Sequence, residues 1–269
     1  MKKLLAVFLT VASMACANSL SEIKASNTLR IGLSDKMPPF SKLNDDGTFE
    51  GFEVDFAKEV AKAVLGNGGK VEFIPVKQSD RLKAVTENKV DLLIAAYAKN
   101  ASRAKVSDWS IPYFSISLAV VARKDAGISS IKDLQGKKIA AIHETNSAVW
   151  LDKQPDITRV DCDNNRHCFE KVEKGEADGY MHNIVSVATI PLMNDEYAVV
   201  IPRVGSIMFD CVVTQKGNRD LIRIVDNVIL NLSDQGYFKK EYDQTFEPFY
   251  KGTVSSKYFL LEDLYESFR

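Results

Sequence analysis

Residues 51–95, GFEVDFAKEVAKAVLGNGGKVEFIPVKQSDRLKAVTENKVDLLIA, carry the pattern from which the fold follows. Phe52, Phe56, Val60 and Val64 recur every four positions, the spacing of an apolar stripe along an α-helix, and Gly66 can then end that helix. Residues 71–76 (VEFIPV) switch to a strand pattern, residues 80–88 to a short helical one, and residues 90–95 (VDLLIA) form an apolar run with the length of a buried strand. Helices and strands in immediate alternation point to an α/β layer with mainly parallel strands, because parallel neighbours need a crossover between them.

The same alternation extends in both directions. Upstream, residues 29–33 (LRIGL) alternate as a strand; Met37-Pro38-Pro39-Phe40 cannot continue it, because two prolines remove two backbone donors, and Asp45-Asp46-Gly47 is a hairpin-type turn. The pattern starts again after residue 115, with strands expected at 137–142, 177–181 and 199–201 and helices at 146–153 and 166–174. Leu221, Ile224, Val225, Val228 and Leu232 then recur at helical spacing over residues 220–232. Two α/β units agree with a length of 269 residues at roughly 150 residues per domain.

Hydrophobic residues make up 45% and charged residues 26% of the chain, enough apolar material for a sizeable core. Lys plus Arg number 35 against 36 Asp plus Glu, so no basic surface for nucleic acid or anionic lipid is expected.

Met1-Lys2-Lys3 is basic, residues 4–12 (LLAVFLTVA) are apolar and residues 13–17 are mostly small, the layout of a secretory signal peptide over 1–17. The run is too short to span a membrane, and no later segment approaches about 18 consecutive apolar residues. Ala15-Cys16-Ala17 fits a cleavage site; the other reading makes Cys16 a lipid-modified first residue, although Ser13 stands where such signals usually carry Leu or Val. Either way the location expected is the periplasm. Export places Cys162 and Cys168 in an oxidising compartment, where the short DNNRH loop between them is open to a disulfide or to two free thiols. Cys211, in the apolar run Cys211-Val212-Val213, fits a buried core position.

Searches for catalytic motifs return little. There is no G-x-S-x-G elbow and no H-E-x-x-H, and Gly66-Asn67-Gly68-Gly69-Lys70 lacks the spacing and Ser/Thr of a phosphate loop. His143, His167 and His182 show no metal-ligand spacing, so neither metal nor cofactor is expected.

What stands out is an ordered set of segments: Pro38-Pro39-Phe40-Ser41, Gly51-Phe52-Glu53-Val54-Asp55-Phe56-Ala57, Arg81, Val90-Asp91, Ser102-Arg103, Asp108-Trp109-Ser110-Ile111-Pro112-Tyr113, Asp133-Leu134-Gln135-Gly136-Lys137, Gly175-Glu176-Ala177-Asp178 and Asp234-Gln235-Gly236-Tyr237. Together, over about residues 28–245, they resemble the extracytoplasmic solute-binding proteins of ABC transporters for polar amino acids, solute-binding protein family 3. The resemblance implies a type II periplasmic-binding-protein fold whose two α/β lobes are joined by two hinge strands and close on the ligand. On that map lobe 1 is 28–113 plus 204–269, lobe 2 is 114–203, the hinge strands are 113–117 and 203–209, and the tail 246–269 wraps lobe 1. It also implies a monomeric, non-enzymatic receptor that hands an amino acid or amino-acid-like anion to an ABC permease in the inner membrane.

The same resemblance assigns residues. Arg103 would grip the ligand carboxylate, since a planar guanidinium gives two parallel charge-assisted hydrogen bonds; the plain alternative is a surface arginine beside Lys99 and Lys105. Thr145 and Asn146 stand where the family places helix N-terminal donors, and Ala98 offers a backbone N–H. Arg81 matches an arginine of relatives that bind acidic side chains, or is a solvated residue near Lys83 and Glu87. Ser34 falls at a specificity position, Met37 where many relatives carry an aromatic that stacks on the ligand, and Phe40 at a core or cleft-wall position. Asn183 stands where relatives carry a carboxylate for the ligand ammonium, and an amide cannot neutralise a cation; Glu144 and Asp210 are the nearest other acids on the map. Two further readings use the same scaffold: a cyclohexadienyl dehydratase-like enzyme with Glu144 or His182 as acid/base group, and a sensor docking on a membrane receptor.

Overall fold

In a computed structural model that describes residues 18–143 and 145–268, Phe52, Phe56, Val60 and Val64 form the buried face of a helix, Phe52–Leu65, which ends at Gly66 with φ 71°. The strands are β1 Thr28–Ser34, β2 Lys36–Met37, β3 Ser41–Leu43, β4 Phe49–Glu50, β5 Lys70–Val76, β6 Leu92–Leu93, β7 Ser107–Arg123, β8 Lys138–Ile142, β9 Thr158–Cys162, β10 Gly179–Asn183 and β11 Tyr197–Gln215. The expected signal peptide, Cys16 and Glu144 lie outside the described residues.

Eight strands form one sheet in the order β5-β1-β6-β11-β7-β10-β8-β9, and β2-β3-β4 form a small antiparallel sheet beside it. The pairs β1/β5, β1/β6, β8/β10 and β8/β9 are parallel, as the helix–strand alternation requires. The two α/β units share a sheet because β7 and β11, of 17 and 19 residues, run antiparallel from Ser107↔Gln215 to Arg123↔Tyr197. β11 pairs with β6 at Val213↔Leu93, and β7 pairs with β10 from Leu118↔Asn183 to Ala122↔Gly179. The expected short strand at 199–201 is thus part of a much longer one, and of residues 90–95 only Leu92–Leu93 enter the ladder, because the chain turns at Ala96 with φ 43°.

Between Val204↔Leu118 and Met208↔Ile116, β11 advances from 204 to 208 while β7 moves only from 118 to 116, a bulge that includes Gly205 at φ 67°. A Cβ on Gly205 would sit 3.1 Å from Cδ1 of Trp150.

The C-terminal segment completes the core. Helix Arg219–Asp234 buries Leu221, Val225, Val228 and Leu232, as its spacing predicts. Helix Tyr237–Tyr250 brings Phe246 to 4.9 Å from the ring of Phe40 and 5.1 Å from that of Phe114. The tail does more than wrap the first unit. Tyr265 Oη donates to Pro112 O at 2.9 Å, while Tyr250 Oη donates to Val185 O at 2.9 Å and Thr253 Oγ1 to Ala188 O at 3.0 Å, so it also ties to the second unit. Tyr250 is buried, and its hydroxyl needs that acceptor.

Cys162 and Cys168 are bridged, Cα to Cα 5.1 Å, fastening the end of β9 to helix Asn165–Glu173, and Cys211 is buried and free. Among the described residues no helix is long and apolar enough to cross a membrane.

The P-P-F and G-F-E segments, adjacent in the motif order, meet physically. Phe52 N donates to Pro39 O at 3.0 Å and Glu53 N to Phe40 O at 2.8 Å, capping the helix with carbonyls of the turn. Gly51 allows this approach: φ is 123°, and a Cβ would lie 2.6 Å from Phe40 O and 2.7 Å from Pro39 O. Gly51→Ala is therefore expected to cost about 2–4 kcal/mol through clash and backbone strain, read as a lower urea midpoint with an unchanged m-value; an effect below ~0.5 kcal/mol contradicts the account.

Candidate functional site

The chain leaves β6 at the C-terminal end of a strand parallel to β1, the end at which open α/β sheets bind ligands. Its conformation is set by Glu53, fully buried in the first turn of helix Phe52–Leu65. Glu53 Oε1 accepts from Ala96 N at 2.5 Å and from the hydroxyl of Tyr113, and Ala96 N also reaches Tyr113 Oη at 3.2 Å. These bonds hold Ala96 in a left-handed conformation, with its buried carbonyl accepting from Arg81 Nη1 at 3.1 Å. Arg81 Nη2 lies 3.5 Å from Sδ of Met37.

The next residue, Tyr97, organises the cations. Arg103 Cζ stands 4.0 Å from its ring centroid and Arg81 Cζ 5.7 Å, while Trp109 stacks on it at 5.5 Å. Arg103 begins its orientation at the backbone, where its N–H donates to Asn100 Oδ1, the cap of the short helix Ala101–Ala104; Nη1 donates to Ala98 O at 2.6 Å. Ala98 bridges to Asp210 in β11. Arg103, Arg81, Ala98 and Met37 are thus brought together around residues 96–98.

Burial dominates the electrostatics. It raises Glu53 to about 7 against the opposing hydrogen bonds from Tyr113 and Ala96 and the charge of Arg81. Burial also raises Asp210 well above the usual carboxylate range, reinforced by Glu53 and opposed by Arg81 and Arg103. Arg81 is lowered by desolvation and sustained by Glu53 and Asp210.

The remaining expected residues are distributed differently. Ser34 is buried at the end of β1, its carbonyl accepting from Ser41 Oγ at 2.8 Å. Phe40 lies in the core: it is 1% exposed, its ring enclosed by Phe114 and Phe246. In the second unit Thr145, not Asn146, caps helix Asn146–Leu151, accepting from Ala148 N at 3.4 Å and donating to Ile142 O at 2.6 Å. Asn146 is exposed, with Nδ2 3.4 Å from Sδ of Met208 in β11. Asn183 closes β10, half-buried and without a cap hydrogen bond from its side chain. No hydrogen bond between described residues joins this second set to the arginines.

Glu53, Tyr97 and Tyr113 shape this cluster, and the sequence alone assigned none of them a place in it. A signal existed for Glu53, a carboxylate on the apolar stripe at i−3 from Phe56 and i−7 from Val60.

A family model of bacterial extracellular solute-binding proteins, family 3, matches residues 29–248. The chain belongs to that family. It is 27% identical over 233 residues to the L-cystine-binding protein TcyJ of Escherichia coli (strain K12), covering 85% of this chain and 86% of that one. Among solved structures it is similar to the solute receptor for L-cysteine of Neisseria gonorrhoeae, with TM-score 0.68 and 28% identity over 90% of this chain and 99% of that one. It is also similar to the ancestral amino acid-binding protein AncCDT-1, a precursor of cyclohexadienyl dehydratase, with TM-score 0.64 and 27% identity over 84% and 98% of the two chains. The architecture is therefore the two-lobed type II fold, its lobes joined by the long strands β7 and β11.

Glu53 also makes stability depend on pH. Its folded value of about 7 exceeds the ordinary 4.5, so the folded state holds the extra proton; the stabilisation is complete below about pH 4.5 and is lost as pH rises through 7. Urea unfolding at acid and at mildly alkaline pH should show the wild type losing about 3 kcal/mol more than Glu53→Gln across this window. Parallel losses in the two proteins would contradict the assignment.

Proposed function

We propose that this chain captures an amino acid, or an amino-acid-like anion, in the periplasm and presents it to an ABC permease of the inner membrane. The observation that carries the reading is the half-buried Arg103, seated on Tyr97, with Nη1 anchored to Ala98 O and its other side-chain donors uncommitted among the described residues. A guanidinium held in this way is oriented before the ligand arrives, so little side-chain entropy is lost on gripping a carboxylate. Arg81 lies beside it, fixed by Ala96 O, and supplies a second cation for a ligand with a second acidic or strongly polar group. The amino acids in the names of the relatives support the ligand class, and their being binding proteins supports capture without catalysis.

In this reading lobe 1 comprises 28–113 and 204–269, lobe 2 comprises 114–203, and residues 113–117 and 203–209 form the hinge. Closure brings the capped turn at Thr145 and Asn146 over the carboxylate held by Arg103, with Asn183 facing the rest of the ligand. Residues 1–17 direct export, and the mature protein acts as a monomer.

Calorimetry and thermal shift of the purified protein against amino acids and dicarboxylates test the reading. A ligand should raise the Tm of the wild type, and Arg103→Met should weaken its binding about 100-fold or more, the scale of losing paired charge-assisted hydrogen bonds. Arg81→Met should weaken an acidic ligand more than a neutral one. Absence of any signal across the panel overturns the proposal.

A further inference from the structure

The binding cluster contains more buried acid than its donors can serve. Asp210, in β11, is fully buried, and neither carboxyl oxygen has a hydrogen-bond partner among the described residues; Glu53 Oε2 and Arg81 Nε are likewise unpaired. Around Asp210 stand Glu53 from helix Phe52–Leu65, Arg81 from helix Arg81–Thr86, Arg103 from helix Ala101–Ala104 and Tyr113 from β7. Tyr97 and Lys99 flank the bridge at Ala98, and Cys211 follows on the same strand. Burial keeps the Tyr113 hydroxyl and the Cys211 thiol neutral, and Lys99 is exposed. That leaves two carboxyls and two guanidiniums as the charges that matter.

Glu53 and Asp210 are not equivalent within this group. Glu53 receives Ala96 N–H and the Tyr113 hydroxyl, donors that favour its ionised form, whereas Asp210 receives nothing. An ionised carboxylate without donors in a buried site is far costlier than a protonated one. The guanidiniums do not relieve it, since among the described residues no hydrogen bond joins either to Asp210 and each spends an N–H on a backbone carbonyl. A carboxylate seated on Arg103 would add a third acidic group and offset the positive charge that sustains the other two.

We propose that Asp210 and Glu53 form the proton store of the binding site: Asp210 carries a proton in the ligand-free protein, and an anionic group seated on Arg103 draws a second proton from solvent onto Glu53. Capture is thereby coupled to proton uptake. This rests on the reading of Arg103 as the carboxylate clamp. Its consequence is that affinity for an anionic ligand falls as pH rises above neutrality, by up to about tenfold per pH unit for one coupled proton.

Two measurements test it. Infrared spectra of the ligand-free protein at neutral pH should contain a protonated-carboxyl component that is lost in Asp210→Asn, an isosteric change that keeps the site neutral, and kept in Glu53→Gln. Calorimetry with L-glutamate, L-cystine and L-glutamine, in buffers of different ionisation enthalpy at about pH 7.5, should register net proton uptake by wild type with whichever probe binds, and none by Glu53→Gln. Binding without uptake, or uptake that persists in Glu53→Gln, overturns the coupling. If none of the probes nor the wider amino-acid and dicarboxylate panel binds, the proposed function fails and the coupling fails with it. The infrared band then decides separately whether Asp210 holds its proton, and a spectrum without it overturns that part whatever binds.

Discussion

The hydrogen bonds that Glu53 accepts from Ala96 N–H and the Tyr113 hydroxyl are the constraint on which the site depends. They join three parts of the chain that packing alone would leave free to shift: a helix N-terminus, a loop and a hinge strand. Ala96 would not choose a left-handed conformation by itself, since a Cβ makes that region costly. Holding it there turns the Ala96 carbonyl toward Arg81, so that Tyr97 becomes a platform for two guanidiniums and Ala98 pairs with Asp210. A buried carboxylate is an expensive way to fix a loop, and the expense is visible in its raised pKa. A site that must present cations to a solute gains from it, because the same acid offsets the charge of Arg81.

Much of the fold was legible in the sequence because periodicity reports burial directly. Phe52, Phe56, Val60 and Val64, and Leu221, Val225, Val228 and Leu232, face the core as their spacing demands. The continuity of the sheet was not legible, since nothing local distinguishes a short strand at residues 199–201 from the middle of one spanning Tyr197–Gln215. Nor was the reach of the tail. That Tyr250 hydrogen-bonds to Val185, across 65 residues of sequence, depends on where the helix lands and not on its composition.

The site divides along the same line. Arg103, Arg81, Ala98 and Met37 carry the family resemblance, and they cluster because their segments meet around residues 96–98, which follow the end of β6. Phe40 sits beside them in sequence yet belongs behind them in space, because its ring fills the gap between Phe114 and Phe246. The Thr145 and Asn146 roles turn on a one-residue boundary, and only the cap geometry resolves which hydroxyl or amide serves the helix. Asp210 carries no motif at all. Its significance comes from burial without partners, a property of the folded chain alone.

Closure of two lobes needs a place where the backbone can bend without unpairing the sheet, and β11 supplies it locally. The bulge between Val204 and Met208 adds chain on one strand only, so rotation there can be absorbed by the unpaired residues while the ladders on both sides keep their register. Gly205 lies within the bulge, against Trp150 of the helix that Thr145 caps, so a change at the hinge is felt directly by the element carrying the second set of donors. Opposing it, Tyr250 and Thr253 bind the tail to carbonyls of Val185 and Ala188. The slack in β11 and the tail's hydrogen bonds thus act on neighbouring parts of the fold: the bulge adds unpaired chain beside the helix that Thr145 caps, while Tyr250 and Thr253 hold the carbonyls of Val185 and Ala188 in place.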